Sequence, residues 1–265
     1  KHDPVVRADR ARDRLAEIGL ASGCVVQPTA AIDCTGSAAL CRLAGAQVAC
    51  PAQPAMAGYG FEVAGADESK AGPTGLALAV PYLLRQAAEA GRIPIHLAYA
   101  TWEPSEAPGQ GWIKLAVPVH AIARARQQAD AVWEILKSAP AFARARIMRH
   151  VPAPLARETG HLRGEYVLTE NDVLCARDFP DAVVHNAWPI ERWEEGQGVS
   201  YRYLPDGRAH GIPLRCLRPQ GGPGNLLCAG AAISAEPAAA ASLRVMGVCM
   251  ALGEAAARHC LAPAR

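Results

Sequence analysis

The chain has 265 residues, of which 51% are hydrophobic and 20% are charged, and its formal net charge is +2. A chain of this length and composition can bury a core as one large domain or as two smaller ones. The small net charge, with arginines dispersed among alanines and acids, argues against a nucleic-acid-binding protein. The apolar C-terminal stretch is interrupted by Glu236, Arg244 and Glu254, so we predict no membrane span.

The nine cysteines do not form a C-x-x-C pair, and neither they nor the histidines follow a zinc-binding spacing. Each cysteine has apolar or small neighbours, which predicts reduced, buried thiols, no metal site and a cytoplasmic protein. The sequence begins KHDPVV without a methionine, so an export signal further upstream stays open as an alternative.

The first predicted elements are a hairpin within Leu15–Gly36 and a short strand from Ala30 to Cys34. The strand ends abruptly at Thr35 and Gly36. SAALCRLAGA follows with helical spacing, which predicts a helix with Ser37 as N-cap and with Leu40 and Leu43 on one face.

The middle of the chain mixes helices and strands. GLALAVPYLLRQAAEAG predicts a helix kinked at Pro81, whereas IPIHLAYATW and GWIKLAVPV alternate as strands do, with His96 on the exposed face of the first. AIARARQQADAVWEILKSA predicts an amphipathic helix that buries Ile122, Val132 and Leu136 and stops at Pro140.

The last segment repeats the order of strand, small-residue turn and helix. NLLCAG predicts a buried strand ending at Gly230, and the next helix is expected to begin near Pro237. In open parallel sheets, ligands bind in crevices at the carboxyl ends of strands. A small-residue helix packed against a sheet, without a ligand, is the alternative interpretation.

Several blocks resemble one family in the same order along the chain. AIDCTGSAALCRLAGA resembles the IDATGDGDLAALAGA element of FAD-dependent oxidoreductases of the glutathione-reductase-like superfamily. RETGHLRGEYVLTENDV, FPDAV, YRYLP with IPLRCLRP, and NLLCAGAAISAEPAAAASLRVMGVCMALGEAA resemble its later blocks. The resemblance implies an α/β protein with FAD as cofactor: a partial glutathione-reductase-like FAD-binding fold (1–58 and 221–265) interrupted by an α+β substrate domain (59–220).

The resemblance also implies site residues. Near the phosphates or ribose of the dinucleotide it places Asp33, Thr35 and Gly36. Near the flavin and pyrophosphate it places Gly230, Ile233, Ser234, Ser242, Arg244 and Met246. Tyr201 and Tyr203, with Arg215, are candidates for a substrate pocket. The alternatives are a surface ion pair for Arg244, a helix cap for Ser234 and strand packing for the tyrosines.

Three departures from the family pattern limit this prediction. The G-x-G-x-x-G that cradles the ADP pyrophosphate is absent, because GYGFEVAG has the wrong spacing and GGPGNLLCAG precedes a strand. Ser37 and Ala39 replace the family's acidic residues, and Ala231 replaces an arginine. Pro237 stands where the family commonly has a histidine, so no catalytic residue or general base is identified.

The resulting hypothesis is a component of an FAD-dependent oxidoreductase that acts on a small-molecule substrate. This chain supplies the substrate domain and the flavin-facing strand and helix, while a companion polypeptide or an N-terminal segment supplies the G-x-G-x-x-G unit. The alternative is a non-catalytic subunit of a flavoprotein complex that keeps the fold without the cofactor chemistry. The sequence does not specify the substrate, the electron acceptor or the mode of flavin attachment.

Overall fold

The computed structural model describes residues 3–50, 56–73, 75–156, 160–194 and 197–261. The strands are β1 (Val5–Ala11), β2 (Arg14–Leu20), β3 (Val25–Val26), β4 (Ala31–Asp33), β5 (Val48–Ala49), β6 (Met56–Ala64), β7 (Thr101–Pro104), β8 (Gly111–Pro118), β9 (Arg146–His150), β10 (Leu155–Ala156), β11 (His161–Leu162), β12 (Ala182–Asn186), β13 (Ile190–Glu194), β14 (Gly198–Arg202), β15 (His210–Pro213) and β16 (Leu226–Cys228). The α-helices are α1 (Ala39–Leu43), α2 (Gly75–Glu89), α3 (Ala125–Lys137), α4 (Glu170–Leu174), α5 (Pro237–Leu243) and α6 (Met246–Leu261). The protein is therefore mixed α/β.

The chain divides into two units. The first comprises Lys1–Ala52, Glu158–Glu191 and Tyr201–Arg265, and the second comprises Gln53–Arg157 and Arg192–Ser200. Residues 160–191 and 201–220, which lie inside the predicted substrate domain of 59–220, pack in the first unit.

The first unit contains several small sheets and two buried clusters. β1, β2 and β3 form an antiparallel sheet, and β4 pairs in parallel with β16. Leu226 and Cys228 of β16 face one cluster, with Leu15 and Cys41. Leu227, between them, faces the other cluster, which also contains buried residues of α5 and α6. Both faces of β16 are thus covered, as is usual for parallel strands.

The second unit is a five-stranded antiparallel sheet with helices on one face. The strand order is β10-β6-β8-β7, and β9 also pairs with β6. Phe61 of β6 and Ile113 of β8 are fully buried against residues of α2 and α3, including Leu84 and Val132. Because successive side chains of a strand point to opposite faces, the residues next to Phe61 and Ile113 lie on the other face of the sheet.

Several predicted elements are confirmed. The first hairpin, the strand before Thr35 and the strand GWIKLAVPV are present as β2–β3, β4 and β8. The helix at Pro237 begins at that residue, and α3 buries Val132 and Leu136.

Five local predictions are wrong. The N-cap of α1 is Ala38, which has a left-handed φ of 53° and no side-chain cap, because Thr35 instead of Ser37 accepts from the helix. Leu43 and Ile122 are exposed. IPIHLAYATW is a 3-10 turn from Ile95 to Tyr99 followed by β7, since Pro94 starts a turn with its carbonyl accepting from Leu97. This turn buries His96 instead of exposing it.

The C-terminal helical region is bent. α5 and α6 are inclined to each other by 92°, although the sequence analysis treated them as one helix. Among the described residues, no single helix has the length and apolar character needed to cross a bilayer; only this bent pair, taken together, passes that test.

The prediction that all cysteines are buried is wrong in part. All nine are free thiols, but Cys24, Cys34, Cys50 and Cys175 are exposed.

Candidate functional site

The carboxyl ends of β4 and β16 form one edge in the first unit. Asp33 and Cys228 are register partners at the ends of these parallel strands, and the Ala229 amide donates to the Asp33 carbonyl at 2.9 Å. The two turns that follow, one containing Thr35 and Gly36 and the other containing Gly230, therefore start side by side. We call this place the β4/β16 edge. It brings together four of the predicted cofactor residues.

The Asp33 carboxylate organises the first of these turns. Its side chain is 1% exposed; one oxygen accepts from the Thr35 amide (2.9 Å) and hydroxyl (2.7 Å), and the other accepts from the Cys41 amide (2.9 Å). The Thr35 hydroxyl oxygen in turn accepts from the Ala39 amide at 3.0 Å, at the start of α1. Asp33 therefore holds the turn from inside the protein.

Two glycines leave open space at the β4/β16 edge. Gly36 has φ of 76° and Gly230 has φ of 79°, a region that residues with a side chain rarely adopt. A Cβ placed on Gly36 would meet nothing within 4 Å, and one on Gly230 would meet only the Cys249 Cβ at 3.9 Å. Neither turn therefore carries a side chain on the side where these Cβ atoms would stand.

Beyond Gly230, the predicted residues are buried. Ile233 is in the core. The Ser234 backbone joins two neighbouring segments, because its amide donates to the Cys216 carbonyl (3.0 Å) and its carbonyl accepts from Leu168 (3.1 Å). The Ser234 hydroxyl is fully buried and has no hydrogen-bond partner among the described residues.

Ser242 belongs to a buried polar network that the sequence analysis missed. Its hydroxyl donates to the Trp188 carbonyl (2.7 Å) and accepts from the Asn186 amide (2.8 Å). The same amide group donates to Nε2 of His210 at 3.1 Å, and His210 Nδ1 lies 3.2 Å from the Gly211 carbonyl. Burial lowers the pKa of His210 below its ordinary value, so the ring is neutral in this network. The network joins residues that are far apart in sequence, so no local pattern reveals it.

The two remaining cofactor candidates differ in exposure. Nη2 of Arg244 donates to the Glu191 carbonyl at 3.1 Å, while its Nε is buried without a partner among the described residues. Met246, at the start of α6, is 82% exposed. The predicted surface ion pair for Arg244 is thus replaced by a bond to a backbone carbonyl.

The three predicted substrate residues have separate surroundings. Tyr201 and Tyr203 stack with their ring centroids 6.1 Å apart, and both are exposed. Arg215 instead makes two hydrogen bonds to the Asp181 carboxylate, at 2.9 and 3.1 Å, and its guanidinium lies 5.2 Å from the centre of the Tyr166 ring. These bonds lower the pKa of Asp181, as expected for a structural ion pair.

Three potential metal ligands also meet beneath the β4/β16 edge. An oxygen of Asp33 and the sulfur atoms of Cys41 and Cys228 all lie within 4.8 Å of one another, and all three residues are buried. The neighbouring Cys41 thiol and burial raise the pKa of Cys228 well above its ordinary value, so this thiol is protonated. Metal binding requires thiolates, and the Asp33 oxygens already accept three hydrogen bonds.

Comparison with known families decides the identity of this chain at the family level. A family model described as FAD dependent oxidoreductase matches residues 1–262. The chain belongs to this FAD-dependent oxidoreductase family. The family implies FAD as the cofactor. A search of curated proteins finds no match.

Two solved structures are similar to this chain at low identity. One is the Diels-Alderase PyrE3 of the biosynthetic pathway of pyrroindomycins, with 14% identity, 91% of this chain and 37% of that chain covered, and a TM-score of 0.41. The other is the halogenase PltM, with 13% identity, 62% and 34% of the two chains covered, and a TM-score of 0.33. The chain thus spans little more than a third of the length of either.

The residues of the β4/β16 edge fit a dinucleotide cofactor. The positive φ and open space at Gly36 and Gly230 let phosphate groups or a flat ring come close to the backbone. The hydrogen bonds of Asp33 and Thr35 keep the first turn in place. Only the β4/β16 edge shows this fit. Ser242 and Ile233 were also predicted to approach the cofactor, but both residues are buried in the protein interior.

Proposed function

We propose that this chain is a component of an FAD-dependent oxidoreductase that acts on a small-molecule substrate. The observation that carries the proposal is the open β4/β16 edge with its two glycines in positive φ, in a chain of this family. When bound, FAD accepts a hydride or electrons from the substrate. The fold that we propose is a partial glutathione-reductase-like FAD-binding fold with an inserted α+β substrate domain, divided as 1–58, 59–220 and 221–265.

The chain's own residues bind and orient the cofactor in this proposal. The backbone of the turns at Gly36 and Gly230 binds the phosphates of the cofactor and the adjoining part of the flavin ring system. Asp33 and Thr35 act as positioning residues, because their hydrogen bonds fix the first turn. The Met246 side chain is exposed and is available for apolar contact with the bound cofactor. The β4/β16 edge is supported from the protein side by Ile233, Ser234, Ser242 and Arg244. The candidates for substrate contact remain Tyr201, Tyr203 and Arg215.

We also propose that the G-x-G-x-x-G unit comes from a companion polypeptide or from a segment outside these residues. Two observations support this step. Within the described part of the chain, β4 pairs only with β16, so a two-stranded parallel sheet has an edge for a further strand. In addition, α6 exposes Met246, Met250 and Leu261, by 82%, 75% and 85% respectively. Apolar side chains exposed along one helix mark an interaction surface.

A matched pair of glycine variants tests cofactor binding. Gly36→Val places a side chain in the open space of the edge, whereas Gly23→Val does so in the β2–β3 turn, at a glycine with φ of 86° and nothing within 4 Å. Both variants carry the same backbone strain, about 1 kcal/mol. We expect the natural protein or assembly with Gly36→Val to lose flavin absorbance, while Gly23→Val keeps it. Equal flavin content in both variants would contradict the proposed site.

The second candidate function is a non-catalytic subunit of a flavoprotein complex. Two observations favour it: the hydroxyls of Thr35 and Ser242 are both used in internal hydrogen bonds, and Pro237 stands where the family commonly has a histidine. The flavin content of the assembly with Gly36→Val separates the two candidates, because a structural subunit that does not contact the cofactor leaves this content unchanged.

A further inference from the structure

A pocket of about 460 Å³ lies on the sheet face of the second unit opposite α2 and α3. Its floor is β6, where Tyr59 and Phe61 point into the core and Gly58 and Gly60 face the pocket without a side chain. A Cβ on Gly58 would meet only the Leu155 carbonyl, at 3.9 Å. Gly58 therefore creates depth on a sheet face that a larger residue would fill, whereas a Cβ on Gly60 would already meet the Ile113 carbonyl at 3.0 Å.

Aromatic rings form the walls of this pocket. Trp112 of β8 lines it, with the Arg149 guanidinium carbon 5.3 Å from its ring centre. Tyr99 and Trp193 line it as an edge-to-face pair, with centroids 6.3 Å apart and planes at 82°. Three rings around one concave space offer both faces and edges for contact with a flat molecule.

One ion pair and Thr101 supply the polar side chains of the lining. The ammonium group of Lys114 on β8 donates to the carboxylate of Glu103 on β7, and both side chains are about half exposed. The pair presents a donor and an acceptor, and its charges cancel. A ligand with a full charge would be attracted by one member and repelled by the other, whereas a neutral hydroxyl can bond to both.

We propose that this pocket binds a flat, uncharged ring compound that carries one neutral hydrogen-bonding group, such as a hydroxyl. The ring stacks among Trp112, Tyr99 and Trp193, above the floor made by Gly58 and Gly60. Its polar group meets Glu103 and Lys114. The inference goes beyond the proposed function, since all of these residues belong to the second unit and binding needs no flavin.

Calorimetric titration with three naphthalene probes tests the proposal on the natural protein or assembly. The probes are 2-naphthol, the anion 2-naphthoate and the cation 2-naphthylmethylammonium. We expect 2-naphthol to bind the unaltered protein more tightly than either charged probe. Absence of 2-naphthol binding, or tighter binding of a charged probe, would overturn the proposal.

Variants locate the binding in this pocket. Gly58→Val fills the floor and is expected to weaken 2-naphthol binding about tenfold or more. Gly253→Val adds the same side chain at an open position on α6 and is expected to leave the affinity unchanged. Equal binding by the two variants would place the probe elsewhere.

Charge variants keep the test decisive even if Gly58→Val fails to fold. Glu103→Gln leaves the Lys114 charge unbalanced, and Lys114→Gln leaves that of Glu103. We expect the first to favour 2-naphthoate and the second to favour 2-naphthylmethylammonium, each by about two- to fivefold relative to the unaltered protein. An unchanged ranking of the three probes in both variants would overturn the proposal.

Discussion

Replacement of Asp33 by alanine tests whether this carboxylate organises the β4/β16 edge. The change removes the acceptors for three donors: the amide and hydroxyl of Thr35, and the amide of Cys41. The Cys41 amide is buried, and leaving such a donor unsatisfied costs about 1–3 kcal/mol. The Thr35 donors are only part-buried and can bond to water, so each costs about 0.5 kcal/mol. The expected loss of stability is therefore about 3 kcal/mol.

Urea unfolding of the natural protein or assembly measures this loss directly. Asp33→Asn keeps one oxygen for Thr35 but turns an amide donor toward the Cys41 amide, so we expect an intermediate loss of about 1–2 kcal/mol. Asp9→Asn is the control, because its exposed pair with Arg7 contributes within about 0.5 kcal/mol. We expect flavin content to fall in the order Asp9→Asn, Asp33→Asn, Asp33→Ala. An Asp33→Ala variant as stable as Asp9→Asn would refute the role of the carboxylate.

Three further predictions concern the first unit. His210 has a lowered pKa and accepts a hydrogen bond at Nε2 from Asn186, so protonation of the ring would turn an N–H toward the Asn186 amide donor. The free energy of unfolding is therefore highest above the ordinary histidine pKa of 6.5 and falls as the pH drops below it. His210→Gln should flatten this dependence in pH-dependent thermal unfolding, and an unchanged slope would contradict it. Asn186→Ala removes the donor to the His210 ring and to the Ser242 hydroxyl, and denaturant titration should show that the free energy of unfolding falls by about 2 kcal/mol. A fall smaller than that of a surface Asn→Ala change would argue against the network. Thr169→Ala removes the capping box of α4 and should cost about 1 kcal/mol in the same assay, whereas Thr101→Ala on β7, away from any cap, serves as control.

The sequence was sufficient to predict the elements whose signals are local. Period-2 alternation identified β8, and helical spacing identified α3. The strand and small-residue turn at each end of the chain, with the resemblance of both to one family, identified the β4/β16 edge. Pro237 marked the start of α5 because proline is favoured in the first turn of a helix.

Features that depend on distant residues were not predictable from local patterns. No glycine or proline stands at Arg244 or Val245, where α5 gives way to α6, so no local signal marks the 92° bend. The bonds of Arg244 to Glu191 and of Ser242 to Trp188 hold the chain there, and both partners lie in another segment. The aromatic pocket likewise draws its rings from separate segments of the second unit.

For Asp33, the resemblance implied a position near the cofactor but not the contacts that its side chain makes. The resemblance placed it next to the cofactor, and the structure places it at the β4/β16 edge. Its oxygens, however, face the Thr35 turn and the Cys41 amide. Its second oxygen meets the Cys41 amide of α1, a contact between two elements that the order of residue types does not specify.

The most direct test of the central claim is a visible absorption spectrum of the purified natural protein or assembly, combined with the intact masses of its chains. The account predicts flavin bands, together with a G-x-G-x-x-G unit on a companion chain or on a segment outside these 265 residues. A sample that stays colourless after FAD is added to the complete assembly would contradict the account, and the β4/β16 edge would then have a structural role alone.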